Sequence, residues 1–195
     1  MRENRLRTLL NEGKPTFGTR VQSAWPTVTE FVGRSGQFDY VEFLAEYAPY
    51  DLFSLDNFCR AAELHGMSSM MKLDQEPRKY LAQRAIGAGF QSVLFADIRT
   101  VDDVREAVAA VRPDHPRGGG TYGAADRRAM LMYSAGEPGY LDALNNIVVA
   151  IMIEKGSAVE QLDEILAVPG VDMIQWGPAD YSMRIGRIGE WNHPD

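Results

Sequence analysis

Residues 147–177 read IVVAIMIEKGSAVEQLDEILAVPGVDMIQWG, two apolar runs that enclose a stretch of helical spacing and the turn VPG. The first run, 147–154, stays apolar at every position until Glu154, as expected of a strand covered on both faces. Residues 158–166 predict a helix and 171–177 a second strand. Strand, crossover helix and strand make a βαβ unit, which implies parallel pairing.

The alternation continues outward from this unit. A short entry helix over 5–11 is ended by Gly13 and Pro15, and 16–23 has the character of a strand. A helix follows from Thr27, read as its cap, to Gly33. Strands are then predicted at 38–44 (FDYVEFL), 68–74 (SSMMKLD) and 90–97 (FQSVLFAD), with helices at 54–65, 77–86, 100–111 and 140–145. Six successive βα-type units favour an α/β fold of the TIM (β/α)8 type over an open doubly wound sheet. Eight units normally need about 250 residues, so the expectation is a single, partial barrel over 1–195, truncated after about six units, with sheet edges at or near Val21 and Ile174.

The chain has 195 residues, 45% hydrophobic and 24% charged, within the range of folded globular proteins rather than disordered or fibrous ones. Its net charge of −7 repels polyanions, so neither nucleic acid nor an anionic membrane is an expected partner. The single cysteine, Cys59, cannot form an internal disulfide, and no apolar stretch has the length of a signal peptide or membrane span. A cytoplasmic location is expected.

In a parallel barrel the chemistry belongs at the carboxyl ends of the strands. Glu154 ends one apolar run, and Asp180 follows the next in the turn GPAD, so on neighbouring strands the two carboxylates can converge on one hard divalent cation. Asp180 suits equally well the cap of a following helix. Lys72 interrupts the end of an apolar strand, where its ammonium can hold a substrate carboxylate or simply snorkel. Arg20 has a similar place on the first strand. Glu46 and Tyr47 lie just beyond the second, and a phenol with a pKa near 10 is a poor base but a usable proton donor. The three histidines show no ligand spacing. The segment RGGGTYG, 117–123, reads either as a flexible active-site loop or as a plain surface loop, and it lacks the Walker and dinucleotide-binding patterns.

The run IMIEKGSAVEQLDEILAVPGVDMIQWGPADYSMRIG, with the HP of WNHPD, closely resembles the HpcH/HpaI aldolase family. The similarity extends through NEGKPTFGT, SGQFDYVEFLAEYAP and DDVREAVAAVRP, and so covers nearly the whole chain. It implies a metal-dependent class II pyruvate aldolase on a TIM barrel. By this resemblance Glu154 and Asp180 hold Mg²⁺ or Mn²⁺, and the backbone around Gly177, Pro178 and Ala179 receives the carboxylate of a pyruvate-like substrate. Four substitutions alter the pattern. The family's EH(A/G)P motif reads Glu46-Tyr47-Ala48-Pro49, so Tyr47 replaces the catalytic histidine. The aspartate that supports this histidine from a neighbouring subunit corresponds to Ala85, and Leu44 replaces the acid of the iDxEH stretch. Lys72 replaces the substrate-binding arginine, keeping the charge but not the bidentate fork.

The expected function is therefore a metal-dependent carbon–carbon lyase acting on a small 2-oxoacid through a metal-stabilised enolate. Tyr47 and Lys72 are its candidate catalytic residues, and Arg20 and Glu46 are further substrate-binding candidates. The alternative is an aldolase-like binding or assembly protein that has lost its His–Asp base. The family's seventh and eighth strands and exchanged C-terminal helix have no counterpart up to Asp195, so the chain is expected either to be a fragment or to complete its barrel by association, and a homo-oligomer is expected.

Overall fold

Side chains alternate between two environments along each strand, and this alternation organises the fold. In a computed structural model of the chain, residues 2–116, 118–124 and 137–190 are described. Six parallel strands, β1 (Gly18–Val21), β2 (Tyr40–Leu44), β3 (Ser68–Leu73), β4 (Ser92–Phe95), β5 (Val148–Ile153) and β6 (Met173–Trp176), pair in chain order. Without any reversal of order, the crossovers lay the helices on one side and the sheet curls as a half-barrel. The doubly wound alternative is thereby removed.

Two apolar layers follow from this curl. Val41, Phe43, Met71, Leu73, Val93, Phe95, Val149 and Ile151 point outward into the core beneath the helices. Met70, Leu94, Ala96, Val148, Ala150 and Met152 face inward and pack together. A strand flanked by both layers has no polar face, which is why 148–153 is apolar at every position.

The outer helices are α2 (Pro26–Arg34), α3 (Leu52–Leu64), α4 (Arg78–Ala88), α5 (Val101–Val111), α6 (Pro138–Asn145), α7 (Gly156–Glu160), α8 (Leu162–Leu166) and α9 (Pro178–Arg184); α1 (Arg5–Asn11) precedes β1. Capping boxes start α3, through Asp51 and Ser54, and α5, through Thr100 and Asp103. Two expectations are corrected here. Helix α2 is capped at Trp25 with Pro26 in its first turn, so Thr27 lies inside it. The helix predicted over 158–166 is two short ones, because Gln161 leaves helical geometry and turns its amide to the carbonyls of Ser157 and Arg99.

Helix α1 closes the end of the half-barrel where the strands begin. Leu6 is fully buried against the inner cluster, its N–H donating to Ser68 Oγ at 3.0 Å, while the Asn4 amide donates to the carbonyls of Gln91 and Asn146. Arg7 reaches Asp172 with both terminal nitrogens at 2.6 Å, Arg112 stands 3.6 Å from the same carboxylate, and Asp172 accepts the Val149 N–H at 2.8 Å. This cluster ties α1, the end of α5 and the approach to β6 together. The VPG turn before it needs Gly170: its φ is +98°, and a Cβ there would stand 2.8 Å from Val108 Cγ1.

The described part of the glycine-rich segment doubles back on α5, with Thr121 N–H donating to the Ala109 carbonyl and Tyr122 N–H to that of Arg112. This places 118–124 at the end of the sheet where strands begin, opposite the mouth, which corrects the active-site-loop reading for these residues. Arg117 and 125–136 lie outside the described residues, as do 191–195, which include His193 and the HP of WNHPD. Strands β1 and β6 each have one paired neighbour. Ile174 is 45% exposed on the outer face, whereas Val21 packs partly against the core. Among the described residues no helix is long and apolar enough to cross a membrane.

Removing the Asp172 carboxylate leaves two largely buried guanidinium groups facing each other, a change that typically costs about 3–5 kcal/mol. Asp172→Ala is expected to lower stability by that order in urea unfolding. Asp172→Asn, which keeps an acceptor for the Val149 N–H, is expected to lose less.

Candidate active site

At the other end the inward positions become polar. The last inward residues of β1, β2, β3, β5 and β6 and the turns beyond them surround a cavity of about 270 Å³. Arg20, Tyr47, Lys72, Glu154, Gly177, Pro178, Ala179 and Asp180, all singled out from the sequence, line it. Glu46 does not, but it contacts Lys72 from behind the wall.

An acidic cluster at this end spans three adjacent strands, and two of its members, Glu154 and Asp180, line the cavity. Glu154 follows β5, Asp180 lies in the first turn of α9 after β6, and Asp97 follows β4. One carboxylate oxygen from each lies within 4.8 Å of the other two, a group that could hold a metal ion. Glu154 is only 6% exposed. Space for it depends on Gly177, where a Cβ would come within 2.6 Å of Glu154 Cβ and 2.7 Å of Oε2. Its Oε1 accepts the Asp97 N–H at 2.8 Å, and Asp97 adopts a left-handed backbone with φ 55°, which aspartate tolerates better than most residues. Burial raises the Glu154 pKa. The Asp97 amide and the ammonium groups of Lys72 and Lys155 oppose that shift, and Asp180 adds to it.

Lys155 is the cation that bridges this cluster, and Arg99 stands 3.8 Å from Asp97 Oδ1 at its edge. The Lys155 Nζ is 2.5 Å from Asp97 Oδ1 and also pairs with Asp180 Oδ2. Burial lowers its pKa, but the hydrogen bonds to Asp180 and Asp97 outweigh that and hold it above the ordinary lysine value.

On the opposite wall Lys72 is 4% exposed, with Nζ 2.5 Å from Glu46 Oε2 and donating to Tyr47 Oη at 2.7 Å. It is paired rather than snorkelling to solvent. Burial lowers its pKa, and Glu46 and Tyr47 together raise it above the ordinary value. The Tyr47 phenol is also raised, chiefly by burial and further by Glu46 against Lys72, so it keeps its proton at neutral pH. Ala85 is fully buried in the helix–sheet layer.

Four polar residues of the site, Asp97, Glu42, Gln175 and Lys155, are not among those singled out from the sequence. Asp97 carries the signal that marked Glu154, an acid directly after an apolar run, FQSVLFAD. Glu42 was hidden inside FDYVEFL. It points inward, is 2% exposed, accepts from Gln175 Nε2 at 3.1 Å and lies 3.6 Å from Arg20 Nε. The Glu42–Gln175 bond joins the second strand to the sixth across the half-barrel. One oxygen of each, Glu42 Oε1 and Gln175 Oε1, is buried without a hydrogen-bond partner among the described residues. Lys155 follows Glu154 directly, and nothing in the local pattern distinguishes it from a surface lysine.

Because burial raises the Glu154 pKa, the folded chain holds this proton more tightly than the unfolded one. Ionisation therefore lowers stability as pH rises through the window between the unfolded and folded values. Glu154→Gln is expected to stabilise the metal-free chain at neutral pH. The gain, read from urea midpoints, should vanish when the pH falls below that window.

The sequence profile of the HpcH/HpaI aldolase/citrate lyase family matches residues 29–195. A hydroxypyruvate/pyruvate aldolase of Roseovarius nubinhibens is 31% identical over 198 residues, covering 98% of this chain and 73% of that protein. A 2-dehydro-3,6-dideoxy-6-sulfogluconate aldolase of Pseudomonas putida is 31% identical over 188 residues, covering 96% of this chain and 71% of that one. The crystal structure of an HpcH/HpaI aldolase from Desulfitobacterium hafniense superposes with a TM-score of 0.88 at 26% identity, covering 98% of this chain and 73% of the other. With the profile spanning most of the sequence and the half-barrel reproduced in a solved relative, the chain belongs to the HpcH/HpaI aldolase/citrate lyase family.

Proposed function

We propose that the chain is a class II, divalent-metal-dependent aldolase-type lyase acting on a small 2-oxoacid such as a pyruvate-derived aldol. The observation that carries this reading is the convergence of Asp97, Glu154 and Asp180 within 4.8 Å, across the cavity from the buried ammonium of Lys72. The donor set is all carboxylate oxygen, the chemistry of a hard cation, and Gly177 leaves room beside Glu154. Glu154 and Asp180 would hold Mg²⁺ or Mn²⁺, joined by Asp97. When bound, the ion supplies Lewis acidity that stabilises negative charge developing on the oxoacid as a carbon–carbon bond breaks or forms.

The chain's own groups do the rest. Lys72, held in place by Glu46 and Tyr47, presents a fixed positive charge to the substrate carboxylate, with Arg20 as a second cation at the rim. Gly177, Pro178 and Ala179 form the wall that the oxoacid lies against. Tyr47 keeps a proton at Oη in the neutral range, which suits it to donate to an acceptor carbonyl oxygen and not to act as a base. That same protonation favours a second reading, an aldolase-like binding protein without turnover. The names of the relatives, aldolases of hydroxypyruvate/pyruvate and of a sugar-derived acid, support the enzyme. The reading places it in the cytoplasm as a homo-oligomer, to which the exposed Ile174, Trp176 and Met183 near the β6 edge lend an apolar surface.

Exchange of pyruvate methyl protons into deuterated water, followed by NMR, tests the proposal. Exchange is expected with Mg²⁺ or Mn²⁺ and a fall of at least about 100-fold in Glu154→Ala and Asp180→Ala. Lys72→Met should raise KM more than it lowers kcat. Absence of exchange with either metal would leave the binding reading, and exchange that survives chelation would overturn the metal.

A further inference from the structure

The carboxylate cluster already contains a cation. Lys155 directly follows Glu154, ahead of α7, and its side chain is 15% exposed. Nζ stands 2.5 Å from Asp97 Oδ1 and pairs with Asp180 Oδ2, so one ammonium bridges two of the three carboxylates. An ion of the magnesium or calcium type shared by those oxygens would lie at about 2.0–2.6 Å from each. The ammonium occupies the same place. Like charges cannot share it, so the lysine and the ion exclude each other. The flexible four-carbon stem of lysine makes withdrawal toward the mouth sterically simple.

We infer that Lys155 is a tethered competitor for the metal site: its ammonium neutralises Asp97 and Asp180 in the metal-free chain, and a divalent ion gains all three carboxylates only by displacing it. This rests on the metal reading given above and adds to it a residue that sets metal affinity. Two consequences follow. Metal binding is weakened by the fraction of the time that the lysine holds the site. The metal-free fold is stabilised, because the cluster is never left as three unneutralised carboxylates.

The test uses Mn²⁺ alone, titrated into the full chain and its Lys155→Ala and Lys155→Gln variants, with free Mn²⁺ followed by electron paramagnetic resonance. Both variants are expected to bind at least about tenfold more tightly than the parent. Without metal they should melt at a lower temperature than the parent, and Mn²⁺ should restore them. The glutamine variant keeps a polar side chain in the cluster should the alanine variant fold poorly. Mn²⁺ binding by the variants but not by the parent would support the inference most strongly. Equal or weaker binding in both variants would overturn it while leaving the metal reading intact. No binding by any of the three chains would overturn both.

Discussion

The Glu154 carboxylate, taken out of water between two strands, is the constraint around which the mouth of the half-barrel is arranged. A buried carboxylate is tolerated only with hydrogen-bond donors or cations close by. Here the donor is the Asp97 amide, presented by a left-handed backbone, and the ammonium groups of Lys72, across the cavity, and Lys155 favour the charged form. The space is made by Gly177, where any side chain would collide with Glu154. The amide that Asp97 presents and the missing side chain at Gly177, on the strand ends either side, both answer to this one buried carboxylate.

The two ends of the half-barrel solve opposite problems. Where the strands begin, α1 inserts Leu6 into the inner apolar cluster, and the Arg7–Asp172–Arg112 group binds it there. That end is filled and closed. Where the strands finish, the inward positions are Glu42, Lys72, Glu154 and Gln175, and a cavity remains among them. The charges are partitioned, with the Lys72–Glu46–Tyr47 group on one wall and the three carboxylates with Lys155 on the other. Under the proposed function, a small anionic substrate would be held by Lys72 on one side and, on the other, by a divalent ion in the carboxylate cluster, two fixed points that orient it.

Two of the departures from the pattern of the family that the chain resembles, Leu44 and Tyr47, lie in β2 and the turn after it. Leu44 brings no acid to the inward position nearest the mouth, while Glu42, two residues earlier on the same face, carries one a layer deeper. Tyr47, which by that resemblance stands where the pattern has a histidine, is held protonated, chiefly by burial. Glu42 is linked to Gln175 on β6, which makes the deeper acid part of the contact that draws the two sides of the curled sheet together.

The strand–helix period, parallel pairing and the acids at the ends of β5 and β6 were legible in the residues themselves, because burial on both faces demands unbroken apolar runs and a charge that ends such a run stands out. FQSVLFAD carried the same signal and yielded Asp97 only once its strand was seen beside β5. Glu42 was obscured by its aromatic neighbours, and the split of the helix over 158–166 turned on the hydrogen bonds of one glutamine side chain. Lys155 shows most plainly where local reading stops. One residue from Glu154, it looks like a solvated lysine, and only the curvature that brings three strand ends within a few ångströms turns its ammonium onto carboxylates 58 positions before it and 25 after it. Sequence periodicity reports what each element must bury. Which charges face one another is decided by the curl of the sheet, a property of all the strands together.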